Sequence, residues 1–117
     1  MPLFEHYCDL LDHIKTQGHA TETLGRTPDG QPIVAIKSGG DKSPAIFISA
    51  GSHATEQAGV SAAVDLLDEL DTEHQVYTLP DRDPIGMNGF SYALGLSLEA
   101  APKINTLDEV GPFLREH

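Results

Sequence analysis

Apolar residues recur at helical spacing near the start of the chain, at Leu3, Tyr7, Leu10, Leu11 and Ile14. Positions three and four residues apart share one face of an α-helix, so this spacing predicts an amphipathic helix over residues 2–17. Pro2 suits the first turn of such a helix, and Gly18 suits its C-terminal end.

Two short segments that favour β-structure follow, at residues 21–25 and 33–37. They flank the sequence Thr27-Pro28-Asp29-Gly30. Its Asp-Gly step favours the positive φ angles of a hairpin turn. We therefore expect two antiparallel strands here.

A strand, a helix and a second strand are predicted next. Residues 45–49 form a continuous apolar run, typical of a strand buried on both faces and central in its sheet, with Ile46 and Ile48 packed on one face and Phe47 on the other. Apolar positions at helical spacing predict a helix over about residues 55–70, and residues 75–79 are interpreted as the next strand. Such units nearly always have parallel strands. The predicted fold class is α/β, with a mixed sheet.

The last part of the chain has weaker patterns. Residues 81–90 are dense in turn-forming residues and predict a loop, whereas residues 91–101 have no clear period. Thr106 and Glu109 have the spacing of a capping box and predict a short helix through Leu114. The length of 117 residues suits a single domain.

The composition excludes some classes of partner. A formal net charge of -11 repels phosphate backbones and anionic membrane surfaces, so we expect neither nucleic acid nor membrane as a partner. A lone cysteine, Cys8, permits no intramolecular disulfide and is expected to be a packed thiol. Acidic residues at the start of the chain do not fit an export signal. These features together predict a cytoplasmic protein.

The candidate chemistry lies in the segment Gly51-Ser52-His53-Ala54-Thr55-Glu56, which leaves the carboxyl end of the predicted buried strand. Ligands bind at the carboxyl ends of strands in open α/β sheets. An imidazole and a carboxylate three residues apart at a helix start point to one centre and suit zinc. Gly51 and Ala54 keep the loop free of bulk. The alternative is an exposed histidine followed by a helix-start glutamate that favours the helix dipole.

The order of these elements resembles the zinc carboxypeptidase family and its succinylglutamate desuccinylase and aspartoacylase branch. The resemblance covers about residues 20–90. The strand pair of residues 24–37, the buried strand and the Gly-x-His-x-x-Glu sequence of residues 51–56 each have a counterpart in the family. The following helix and strand also match, and Asp83-Pro84-Ile85-Gly86 loosely matches the Asn-Pro-Asp-Gly turn of the family.

This resemblance implies that His53 and Glu56 are the first two zinc ligands. The third ligand of the family, a histidine, and its general-base glutamate come later in the sequence than this chain extends. The chain is therefore expected to be the N-terminal portion of a larger catalytic domain, to carry part of the site, and to be inactive alone. Ala54 replaces the usual glycine, and Asp83 and Ile85 replace the asparagine and aspartate of the turn, which indicates a divergent branch.

Four further polar residues are relevant to this site. His74 precedes a strand predicted to be parallel to residues 45–49, so it is expected at the opposite end of the sheet from His53. Asp81 and Asp83 follow that strand at the correct end, so each is a candidate for approaching the metal or for hydrogen-bonding to His53. Arg82 is a candidate for binding an anionic substrate, with a surface salt bridge as its alternative role.

The expected function is zinc-dependent hydrolysis of an amide by a metal-activated water. Two substrate classes stay open: the C-terminus of a peptide, and an N-acyl amino acid. The alternative is a noncatalytic, truncated peptidase-like domain that acts as a binding or assembly module, which the missing catalytic parts favour. A homo-oligomer that assembles a site between two copies of the chain is also open.

Overall fold

The computed structural model describes residues 2–97, and it describes side chains for residues 2–90. Three helices and four strands follow one another in the order α1 (Tyr7–Thr16), β1 (Glu22–Arg26), β2 (Pro32–Gly39), β3 (Lys42–Ser49), α2 (Gln57–Glu69), β4 (His74–Leu79) and α3 (Pro84–Ser97). The four strands form one sheet in the order β1-β2-β4-β3.

The sheet is mixed, as the sequence predicts. β1 and β2 are antiparallel and are joined by a turn in which Gly30 has a φ of 87°. β2 is also antiparallel to β4, whereas β3 and β4 are parallel and are connected through α2. The predicted N-terminal hairpin and the predicted parallel strand-helix-strand unit are therefore both confirmed.

The first helix begins later than its apolar pattern predicts. The backbone N–H of His6 donates to Asp9 Oδ2 at 2.9 Å, and this contact caps the helix so that Tyr7 is its first residue. Tyr7 and two further residues of the apolar face, Leu10 and Ile14, are fully buried. Cys8 is exposed, so its prediction as a packed thiol is wrong. The reason is that successive helical residues point about 100° apart, so the neighbour of buried Tyr7 faces away from the core.

The hydrophobic core lies on one face of the sheet. All three helices contribute to it, and they pack on the face that carries Ile36 of β2. The strand register places Thr78 opposite Ile36, so the buried β4 residues Val76 and Thr78 share this face. Phe47 and Tyr77 are paired neighbours on the other face, which carries no helix among residues 2–97. The described part of the protein is thus a two-layer structure.

In the part of the chain that the structure describes, β3 is an edge strand, so its predicted central position is wrong there. Ile46 and Phe47 do alternate between the two faces, but they are 42% and 63% exposed. The apolar run of β3 has the composition of a strand covered on both faces. Within the described residues, β4 is its one strand neighbour, and the helices leave its second face open. The apolar sequence of β3 therefore suits a sheet in which both faces of this strand are covered, which the described residues do not provide.

The position of β3 changes the expected effect of replacing Phe47. Complete burial would make Phe47→Ala cost roughly 3 to 5 kcal/mol of unfolding free energy. Because the ring is mostly exposed, we now expect a cost below about 1 kcal/mol in this chain. Urea denaturation measures this cost. Ile36→Ala is the buried control on the opposite face of the sheet, and it should cost about 2–5 kcal/mol. Equal losses for the two variants would show that β3 is covered in solution.

The segment predicted as a loop contains a helix, α3, and this prediction is therefore wrong. Asp83 caps its start, because Asp83 Oδ1 accepts a hydrogen bond from the Gly86 N–H at 2.9 Å. Pro84 then occupies the first helical position, where its missing N–H has no cost. Pro84 thus lies at the start of the helix, and Gly86 and Gly89 lie inside it, although these residue types indicate a loop. The predicted helix through Leu114 lies outside the described residues. None of the described helices combines the length and apolarity needed to cross a bilayer.

Candidate metal centre

The carboxyl ends of β3 and β4 meet at one edge of the sheet. The Ala50 N–H donates to the Leu79 carbonyl at 3.0 Å, and the Arg82 N–H donates to the Ala50 carbonyl at 3.1 Å. These bonds join the segments that leave the two strands. Residues 50–56, which we call the His53 loop, therefore start directly beside residues 80–83.

His53 and Glu56 converge within this loop. His53 Nδ1 lies 2.8 Å from Glu56 Oε2, and the Glu56 N–H closes a turn by donating to the His53 carbonyl at 3.0 Å. Glu56 immediately precedes α2, so the helix start fixes its direction. Both side chains are about 70% exposed, at 71% and 69%, which leaves them accessible to a ligand. The convergence is the one expected from the three-residue offset.

This pair fits the geometry of a zinc ion. Zinc binds imidazole nitrogen and carboxylate oxygen at about 2.0–2.2 Å, and a tetrahedral arrangement separates two such donors by about 3.4 Å. In the structure His53 Nδ1 and Glu56 Oε2 are hydrogen-bonded at 2.8 Å. Their separation needs to increase by only about 0.6 Å to admit the ion. No third histidine, cysteine, aspartate or glutamate joins the pair within the described residues.

Asp81 is a buried carboxylic acid beneath the loop. Its side chain is 2% exposed, and its Oδ1 accepts a hydrogen bond from the Asp83 N–H at 3.1 Å. Its other oxygen, Oδ2, is buried without a hydrogen-bond partner among the described residues. Burial raises the pKa of Asp81 to about 6; the hydrogen bond from the Asp83 N–H opposes this shift, and the Asp83 charge adds to it.

Gly51 has a role that sequence reasoning missed. Its φ is 70°, and a Cβ built on it would meet the Asp81 carboxylate and lie 2.9 Å from Asp81 Cα. The absent side chain therefore makes room for Asp81. A similar close approach occurs on the other side of the loop, where a Cβ on Gly86 would lie 2.9 Å from Ala54 Cβ. No local sequence signal pairs residues 51 and 81, because their contact depends on the parallel register of β3 and β4.

Arg82 and Asp83 lie at the same sheet edge as the His53 loop. Arg82 is exposed and makes no salt bridge with any residue that the structure describes. The Asp83 carboxylate is directed to the start of α3, and the partner of His53 Nδ1 is Glu56. The roles of Asp81, Arg82 and Asp83 in binding a ligand or a substrate stay predictions.

His74 lies away from this centre, as predicted. It is the first residue of β4, at the amino end of that strand, and its Nδ1 lies 2.8 Å from the Pro44 carbonyl oxygen. His53 follows the carboxyl end of the parallel strand β3, so the length of the strands separates the two histidines.

Comparison with known proteins places this fold and loop in a family of metallopeptidases. The family model described as zinc carboxypeptidase matches residues 5–85, which is more than half of the chain. The chain therefore belongs to the zinc carboxypeptidase family. No curated protein sequence matches it significantly.

Solved structures give the same fold. Bovine thrombin-activatable fibrinolysis inhibitor, solved in complex with tick carboxypeptidase inhibitor, has a TM-score of 0.56 and 16% sequence identity over 70% of this chain and 30% of its own. A candidate metallopeptidase from Shewanella amazonensis has a TM-score of 0.53 and 27% identity over 69% of this chain and 33% of its own. A candidate metallopeptidase from Shewanella denitrificans has the same TM-score and identity, over 70% of this chain and 33% of its own. The chain thus spans about a third of the length of these structures.

Proposed function

We propose that this chain supplies two zinc ligands, His53 and Glu56, to the active site of an amide hydrolase. The observation that carries the proposal is the convergence of His53 Nδ1 and Glu56 Oε2 to 2.8 Å, on a loop at the carboxyl end of a strand. The membership of the chain in the zinc carboxypeptidase family supports zinc as the ion. The substrates are peptides cleaved at the C-terminus or N-acyl amino acids.

The chemistry divides between the ion and the residues of the chain. When bound, zinc would act as a Lewis acid toward the scissile carbonyl and would lower the pKa of a water molecule bound to it to roughly 7. His53 binds through its neutral Nδ1, and Glu56 contributes a negative charge that offsets part of the charge of the ion. Arg82 is an exposed cation at the same sheet edge, and a guanidinium suits the carboxylate that both substrate classes carry.

A larger catalytic domain is the second part of the proposal. The solved relatives are about three times longer than the matched part of this chain. The outer edge of β3 and the face that carries Phe47 are uncovered by residues 2–97, although the strand has an apolar sequence suited to burial. Further residues of a longer polypeptide would cover this surface and contribute the remaining ligand and the general base.

Hydrolysis by the native protein at its natural length tests this function. The zinc-loaded protein is assayed on peptides with free C-termini and on N-acyl amino acids, and the 117-residue chain is assayed alongside. We expect turnover that His53→Ala removes, no turnover by the 117-residue chain, and no effect of His74→Ala, since His74 lies at the other end of β4. The relative kcat/KM values for the two substrate classes then identify the substrate.

Two results would contradict the proposal. If His53→Ala left turnover unchanged, the zinc assignment would be wrong. A native protein that binds ligands or partners without hydrolysing either substrate class would instead be a noncatalytic, peptidase-like module.

A further inference from the structure

We propose that Asp81 is a positioning residue that holds the His53 loop in the conformation in which His53 and Glu56 converge. The inference concerns the conformation of the loop, and it rests on the proposed function only in assigning that conformation to metal binding. Asp81 belongs to neither the loop nor the pair of proposed ligands.

The first support is the direct contact between Asp81 and the loop. Gly51 has a positive φ of 70° and approaches so closely that a Cβ would meet the Asp81 carboxylate. Gly51 is two residues before His53 and immediately follows the end of β3 and Ala50. The carboxylate therefore fills the space under the first turn of the loop and limits how far that turn can move toward the sheet.

The second support is the way in which the carboxylate is itself held. Asp81 Oδ1 accepts from the Asp83 N–H at 3.1 Å, and the intervening Arg82 N–H donates to the Ala50 carbonyl at 3.1 Å. These two bonds tie residues 81–83 to the residue where the loop begins. The carboxylate thus fixes the turn of residues 81–83, and the backbone bond from Arg82 joins that turn to the start of the loop.

The third support is that Asp81 is poorly suited to a role in stability alone. Its Oδ2 is buried without a partner within the described part of the chain, and so is the hydroxyl of Tyr7, whose pKa is raised to about 12 by burial and by the Asp81 charge. Burying an unpaired polar oxygen is unfavourable, and an apolar side chain would avoid this cost. Locally unfavourable groups are typical of functional sites.

The test compares amide hydrogen exchange in three variants of the metal-free chain. Asp81→Ala removes the acceptor and the filling atoms. Asp81→Asn keeps a carbonyl oxygen in the position of Oδ1. Thr78→Ala is the matched control, because it removes a buried polar side chain that lies on the core face of β4 and outside both the loop and residues 81–83. The reporters are the amides of Glu56 and Arg82, which are hydrogen-bonded at the two ends of the loop, and the α2 amides report global opening.

We expect Asp81→Ala to accelerate exchange at Glu56 and Arg82 by at least about tenfold more than at the α2 amides. The reason is that the Asp83 N–H loses its acceptor and the space beneath Gly51 is emptied, so the loop opens more readily. Asp81→Asn should keep the ratio of loop to α2 exchange rates that the wild type has, and Thr78→Ala should change loop and α2 amides by the same factor. The inference is overturned if Asp81→Ala changes loop and α2 amides equally, or if Asp81→Asn releases the loop as fully as Asp81→Ala. Because no metal is present, failure here is distinct from failure of the zinc assignment.

Discussion

Replacing Gly51 with alanine is expected to lower the free energy of unfolding by about 2–4 kcal/mol. A left-handed backbone costs a residue with a Cβ roughly 1–2 kcal/mol. The new Cβ would also press on the buried Asp81 carboxylate, and overpacking of this kind typically costs about 1–3 kcal/mol. Urea denaturation with an unchanged m-value measures the loss.

Gly30 offers a matched control for this substitution. It has a similar φ of 87°, but a Cβ built there meets nothing within 4 Å. Gly30→Ala should therefore cost about 1 kcal/mol or less, since the smaller entropy of the unfolded chain offsets part of the backbone cost. In an Asp81→Ala background the penalty of Gly51→Ala should fall toward the Gly30 value. Equal penalties at the two glycines in the wild-type chain would show that Gly51 and Asp81 are not in contact.

Replacing Asp81 with asparagine is expected to stabilise the protein at neutral pH but not at acidic pH. Burial raises the pKa of Asp81 to about 6 in the folded protein, from its ordinary value of 3.8. The folded state therefore retains a proton that the unfolded state has released between about pH 4 and 6, and the wild type loses stability as pH rises through this window. Asparagine stays neutral, so its advantage should grow to about 3 kcal/mol by pH 7, since one pKa unit corresponds to about 1.4 kcal/mol.

Asp68 provides a control with the opposite sign. The pKa of this exposed carboxylate is lowered, chiefly by its hydrogen bond with His19, so its ionised form is favoured in the folded state. Asp68→Asn should therefore lose stability relative to the wild type at neutral pH and recover it as pH falls. Unfolding free energies measured from about pH 2 to 8 test both variants, because the contribution of Asp68 is lost only below the ordinary pKa of 3.8. An Asp81→Asn profile parallel to that of the wild type would contradict the raised pKa.

Much of the fold follows from short-range patterns in the sequence. The apolar spacing of α1 and α2 and the turn at Gly30 locate their elements because each pattern reflects a period of the local backbone. The order of strand, helix and strand then determines that β3 and β4 are parallel, and thereby places His53 and His74 at opposite ends of the sheet.

Two misassignments show where local patterns fail. The apolar residues on both faces of β3 predict a central strand. Whether a strand is buried depends on the other segments that pack against it, which its own sequence does not determine. α3 was missed because Pro84, Gly86 and Gly89 are turn formers, whereas a capping carboxylate at Asp83 makes the same residues a helix start.

The candidate site divides in the same way. The pair His53 and Glu56 lies three residues apart, so its convergence could be predicted from spacing alone. The contact between Gly51 and Asp81 joins residues 30 positions apart. It depends on the strand register and on the depth of a buried side chain, neither of which the local sequence determines.

The central claim, that His53 and Glu56 bind zinc, is tested most directly by a zinc titration of the chain followed through imidazole ¹⁵N resonances. The chain has six histidines, so five serve as internal controls. We expect the His53 Nδ1 resonance to respond at the lowest zinc concentration, as its hydrogen bond with Glu56 is replaced by coordination, and Glu56→Gln to weaken this response. An unchanged His53 resonance while other histidines respond, or no effect of Glu56→Gln, would show that this pair does not bind zinc.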